Sequence, residues 1–168
     1  TEFDSLAQAI SMHCTHVYEK LRQQKSLNYS ISVFLSTNRF RQDLPQYSQS
    51  ASMKFITPTD DVRLMTHHAK QCLKEIYKPG FLYKKAGVWL AELTDNSSYQ
   101  GDLFYEQSEK VLNKNTKFLN VLDDINERFG KHTIHLAALG FNKSWDTPFQ
   151  FKSPAYTTRW SELPVVFF

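Results

Sequence analysis

The stretch Asn28-Tyr29-Ser30-Ile31-Ser32-Val33-Phe34-Leu35-Ser36-Thr37 alternates with a period of two: Tyr29, Ile31, Val33 and Leu35 fall on one side, Ser30, Ser32, Phe34 and Ser36 on the other. That is the pattern of a half-buried strand, whose apolar side needs a cover and whose hydroxyl-rich side faces solvent or a partner. The cover is legible on both flanks. Upstream, Phe3, Leu6, Ile10, Cys14, Val17 and Leu21 recur at three- and four-residue steps, which predicts an amphipathic helix over about 4–24. Downstream, a second strand is expected over 52–57 with Met53 and Phe55 inward and Lys54 outward. Thr57-Pro58-Thr59-Asp60-Asp61 then opens a second helix, with proline in the first turn and acids at the positive helix end. Leu64, Met65, Ala69, Cys72, Leu73 and Ile76 form its apolar stripe, and Lys78-Pro79-Gly80 stops it. A third strand is expected over 83–93, with Ala86, Val88 and Leu90 alternating against Lys85, Gly87 and Trp89.

Helix, strand, strand, helix, strand implies an α+β fold, a small antiparallel-type sheet with two helices on one face. The other face is polar and basic, free to meet a partner. The residues between the first two strands, 39–50, are polar and contain Pro45, so they read as a loop, to which Arg39 and Arg41 give a positive base.

The composition sets outer bounds. A chain of 168 residues can bury a real core as one domain or two small ones, and 41% hydrophobic residues exclude disorder throughout. A net charge of +3 permits an acidic partner without demanding one. Cys14 and Cys72 fall on apolar helix faces as free thiols, which suits the reducing cytoplasm. No apolar run approaches the roughly 18 residues of a membrane span. The chain begins at Thr1 without methionine, which suggests a piece of something longer.

Beyond the third strand, a turn-rich run ends in Gln100-Gly101-Asp102-Leu103-Phe104, where Leu103, Phe104 and Tyr105 follow neither helical nor strand periodicity. Two readings are open. The pair can anchor in another protein's pocket, each side chain contributing about 1.5–3 kcal/mol, or it can tuck the linker against its own domain. Further on, Val111 or Leu112, Phe118, Leu122, Ile125 and Phe129 fit one helix face, Gly130 ends that helix, and Thr133–Leu139 is expected as a short strand.

Chemistry-bearing clusters are sparse. Nucleotide transfer needs carboxylates holding two metal ions about 4 Å apart. No such set is visible: Asp60-Asp61 reads as helix N-terminal charge and Asp123-Asp124 as a solvated helix face, so this chain alone is not expected to catalyse that reaction. The pairs His13/His16, His67/His68 and His132/His135 lack the cysteine pairs a zinc site uses, so no metal site is expected. Candidate nucleic-acid contacts are Ser30, Ser32, Ser36, Lys54, Lys84 and Lys85 on or beside the strands, with Arg39 and Arg41 in the loop. Such groups reach phosphates and fix register without reading sequence. Trp89 can stack on a base or pack against the linker, and Tyr156, Arg159 and Trp160 can form an interface cluster or a small core.

Several runs resemble the UmuC family of bacterial error-prone Y-family translesion polymerases, the DNA polymerase V group: Ala51-Ser52-Met53-Lys54, Thr57-Pro58-Thr59, Tyr83-Lys84-Lys85-Ala86-Gly87-Val88, and above all Ser153-Pro154-Ala155-Tyr156-Thr157-Thr158-Arg159-Trp160-Ser161-Glu162-Leu163. The resemblance implies a little-finger DNA-binding domain over 1–93 with its first strand missing, a linker over 94–107, and a small C-terminal domain over 108–168. In that linker Gln100, Asp102, Leu103 and Phe104 match the family's clamp-binding peptide, whereas Gly101 departs from it. The resemblance further implies that the whole protein is a DNA-directed DNA polymerase acting in DNA repair and the SOS response. It would hold magnesium in an absent palm domain, and its partners would be DNA, the sliding clamp, the UmuD′ dimer and the RecA filament. On the residues alone, a stand-alone clamp-binding adaptor and an RNA-binding α+β module remain the alternatives.

Overall fold

The alternating stretch becomes β1 (Ser26–Thr37), the middle strand of an antiparallel sheet, flanked by β2 (Ser48–Thr59) and β3 (Tyr83–Asp95) in the order β2-β1-β3. The computed structural model describes residues 2–98, 109–141, 145, 153–154 and 156–163. Helices α1 (Phe3–Gln23) and α2 (Val62–Ile76) cover one face of the sheet. The fold is α+β, as the strand and helix order implied.

The inward residues of β1, Ile31, Val33 and Leu35, are fully buried in one apolar cluster with Leu6, Ile10, Cys14 and Tyr18 of α1 and Met65, Ala69, Cys72 and Leu73 of α2. Complete burial of each aliphatic side chain contributes about 1.5–3 kcal/mol. Both cysteines are free and buried, and burial pushes the Cys14 thiol up to about 12 and the Cys72 thiol up to about 11. They are packing residues, neutral at physiological pH.

Three expectations about the elements themselves are corrected. Pro58 does not open α2; β2 continues through Thr59, and α2 starts at Val62 behind Asp61, whose side chain accepts from the Arg63 N–H. Between Asn28↔Thr59 and Ser30↔Lys54 a step of two on β1 meets a step of five on β2, so Pro58 sits in a bulge of an edge strand. A missing N–H is tolerated there. Second, the short strand expected at Thr133–Leu139 is a turn followed by a single 3₁₀ turn at Ala137–Leu139. Third, α3 (Glu109–Phe129) buries Leu119 and Leu122, while Phe118 and Phe129 are exposed. Gly130, at φ +106°, closes this helix in a conformation that favours glycine.

Polar contacts fasten α3 to the helical layer. The Tyr18 hydroxyl donates to Asp123 at 2.7 Å, and Arg22 donates to Asp123 at 2.6 Å, to Asn120 at 2.6 Å and to Asp60. Burial and the Asp123 hydrogen bond together push the Tyr18 pKa up. Asp123 is therefore half of an inter-helix clamp, not the solvated residue expected from the sequence. Arg63 adds a hydrogen bond to Asn115 at 3.0 Å and stands 4.7 Å over the Phe118 ring. No helix among the described residues is long and apolar enough to cross a membrane.

Candidate nucleic-acid interface

Residues directly opposite one another in an antiparallel pair share a face. The register therefore lays out the outer face of the sheet in rows: Lys54, Ser30, Ala91; then Ser52, Ser32, Trp89; then Ser50, Phe34, Gly87; then Ser48, Ser36, Lys85. Six serines and two lysines line this surface, and α1 and α2 lie behind it.

Its centre is closed and its ends differ. Ser32 and Ser52 hydroxyls meet at 2.7 Å, and Ser30 and Ser32 are only 6% and 3% exposed. The Phe34 ring stacks on Trp89 at 5.6 Å between centroids, tilted by 31°. It lies flat on the sheet because Gly87 has no side chain: a Cβ there would press on Phe34 Cε1 and stand 2.6 Å from its Cζ. At one end Lys54 is paired with Glu92 at 2.7 Å, Glu92 having a backbone φ of +55°. At the other end Arg41 is paired with Asp43 at 2.6 Å, and that hydrogen bond holds the Asp43 carboxyl below its ordinary value. Arg39, Lys84 and Lys85 carry no ion pair among the described residues and cluster where β1 leaves the sheet and β3 enters it.

Of the residues expected from sequence, Ser30, Ser32, Lys54 and Lys85 thus share the outer face, Lys84 sits beside it, and Arg39 and Arg41 stand in the loop at its edge. Lys54 and Arg41 are engaged with carboxylates, and Ser30 and Ser32 are largely enclosed. Trp89 packs on Phe34, and Trp160 is 89% exposed. Gln100, Asp102, Leu103 and Phe104 lie outside the described residues. Among the described residues no cluster of three metal-ligating side chains occurs. Phe40 escaped the sequence reading, although a bulky ring between two arginines was a signal there to use.

A cleft of about 490 Å³ lies on the helical side between α1 and α3, where Glu19, Asp123 and Glu127 share its walls with Arg22 and Lys131, and Arg22 is already committed to Asp123.

The first 103 residues match a family model described as the impB/mucB/samB family C-terminal domain. The chain belongs to this family. Residues 116–166 of this impB/mucB/samB family member match a second model, described as a domain of unknown function (DUF4113). Among curated relatives it is 33% identical to "Protein UmuC" of Salmonella typhimurium (strain LT2) over 163 residues, 97% of this chain and 38% of the relative. It is 34% identical to "Protein SamB" of Salmonella typhimurium over 98% of this chain and 38% of that protein. "Protein MucB" of Escherichia coli is 32% identical over 95% of this chain and 37% of its own length. The chain thus spans less than two fifths of the length of the family members it matches.

Proposed function

We propose that the chain is the non-catalytic C-terminal part of an error-prone Y-family translesion DNA polymerase. It grips template-primer DNA and ties the enzyme to the sliding clamp during the DNA damage response. The observation that carries the reading is a sheet covered by helices on one face and by no described element on the other, its bare face edged by uncommitted cations. Arg39, Lys84 and Lys85 supply the phosphate contacts, and Ser36, Ser48 and Ser50 supply hydroxyls. None of these reads a base, which suits an enzyme that must advance along any template. Nucleotide transfer, with magnesium, belongs to a palm domain outside this chain, and the UmuD′ dimer and RecA filament are further partners. Gln100, Asp102, Leu103 and Phe104 form the clamp anchor, in which a tether raises the effective concentration of the enzyme at the clamp.

Two measurements test this. In a salt titration of duplex binding, replacing Arg39, Lys84 and Lys85 together by alanine lowers the slope by about 0.9 for each phosphate that is no longer neutralised. Lys54→Ala changes it less, because Glu92 already neutralises that charge. An unaltered slope in the triple variant removes the sheet-face reading. In calorimetry with purified clamp, Leu103→Ala and Phe104→Ala abolish binding. Clamp binding without DNA binding leaves a stand-alone adaptor, and preference for structured RNA with indifference to the clamp leaves an RNA-binding module.

A further inference from the structure

The loop between β1 and β2 is built to hold one ring in solvent. Phe40 is 96% exposed, more than any other large apolar residue among those described. An apolar side chain left fully in water gains nothing for folding. Yet the backbone beneath it is tightly organised. The Gln46 side-chain amide donates to three carbonyl oxygens, those of Asn38 at 3.3 Å, Arg41 at 2.8 Å and Leu44 at 3.1 Å. Asn38 Oδ1 accepts from the Phe40 N–H at 3.1 Å, and the Arg41 N–H closes a turn onto the Asn38 carbonyl at 3.1 Å. Thr37 and Tyr47 join the base of the loop through two further bonds, from the Thr37 N–H to the Tyr47 carbonyl at 2.9 Å and from the Tyr47 N–H to Thr37 Oγ1 at 3.0 Å. The ring is therefore presented by a rigid turn at low entropic cost, which is how a binding side chain is preorganised.

Its surroundings specify the ligand. Arg39, with no ion pair among the described residues, flanks it on one side and Arg41, held by Asp43 at 2.6 Å, on the other, and the loop springs from the end of the sheet where Lys84 and Lys85 lie. A hollow of about 340 Å³ lined by Ser36, Thr37, Arg39, Gln46, Tyr47 and Ser48 adjoins its base. A bare aromatic face among cations and hydroxyls matches a nucleobase with its phosphate: the ring stacks, and the guanidinium and hydroxyls take the backbone. Duplex bases already stack on their neighbours, so the free base must come from a single strand.

We propose that Phe40 is a stacking residue for an unpaired base of a DNA strand adjoining the duplex. This rests on the proposed DNA-binding reading and adds a discrimination to it: the chain senses a single-strand to duplex junction. The hydroxyl and lysine face follows the duplex, and the Phe40 tip engages the first unstacked base beyond it.

The test uses the full chain, a blunt duplex, and a duplex of equal length carrying a single-stranded overhang with 2-aminopurine at its first position. Phe40→Ala should weaken binding to the overhang substrate by about five- to a hundred-fold, leaving the blunt duplex and the salt slope unchanged. Binding of the original chain should alter the 2-aminopurine fluorescence, Phe40→Ala should abolish the change, and Phe40→Trp should restore it. Equal overhang affinity in Phe40→Ala overturns the inference and leaves the tip to a protein surface. Equal weakening on both substrates, or a lowered urea midpoint, also overturns it, by making the ring a groove contact or a packing element. Failure of the original chain to bind either DNA removes the sheet-face reading and this inference together, whereas a loss of effect confined to Phe40 leaves the sheet-face reading standing.

Discussion

The two faces of β1 carry the same backbone and opposite instructions. Inward, Ile31, Val33 and Leu35 are fully buried among two helices, and their identity is accounted for by packing alone. Outward, Ser32, Phe34 and Ser36 meet other serines, a glycine and a tryptophan, and no described element covers them. What packing does not explain on the outer face is what an unbound partner can explain. The largest expected effects test whether the faces differ as sharply in energy. Leu35→Ala should cost about 2–5 kcal/mol through reduced burial and the cavity left behind, whereas Ser36→Ala should stay within about 0.5 kcal/mol. Urea unfolding measures both, and comparable costs would break the contrast.

A second region sharpens it. The sheet is held to α1 and α2 by apolar contact, but α3 is held to them substantially by Arg22, whose guanidinium joins Asp60, Asn120 and Asp123. Arg22→Met should leave two carboxylates without their cation. Full burial would make that worth about 3–5 kcal/mol, and the partial exposure of this cluster reduces it to about 2–3 kcal/mol. Hydrogen exchange should quicken in α3 while the amides of β1 keep their protection. If β1 and α3 quicken equally, the polar clamp is no weaker a joint than the core.

A third test lies on the outer face itself. Gly87→Ala drives a methyl group into the Phe34 ring and should cost about 1–2 kcal/mol. Adding Phe34→Ala should return part of that cost, and a double-mutant cycle reads the coupling. Strict additivity would mean that the ring does not need the glycine beneath it.

The sequence made the inner face legible and left much of the outer face obscure, for a physical reason. A period of two in 28–37 and of three to four in 3–21 states which side is apolar, and burial follows from that directly. Pro58 misled because a proline before acidic residues suits a helix start, and only the pairing of β2 shows that it lies at an edge, inside a bulge. Asp123 misled similarly, since its partners Tyr18 and Arg22 are about a hundred residues away. The Gln46 side chain that organises the Phe40 loop has no periodicity to betray it. Local pattern encodes burial, whereas a polar clamp or a presented ring depends on which distant groups the fold brings together.

The smallest effect concerns a histidine on the covered side. His13, on α1, has its pKa lowered from 6.5, first by burial and then by the neighbouring His16. Its unfolded form accepts a proton at about pH 6.5, and its folded form only at a lower pH. Between those two values the unfolded chain binds more protons, so stability falls as pH drops from 6.5 towards the folded value. Above 6.5 both states are neutral and the full stability is present. Asp43 and Asp95 have carboxyls held below 3.8, so they titrate beneath this window and do not obscure it. The urea midpoint should therefore decline slightly between pH 7.5 and pH 5, and His13→Gln should flatten that decline while changing the midpoint little at pH 7.5. A decline of the same steepness in the variant would assign the titration to another group, and the covered side would then carry no pH sensitivity through His13.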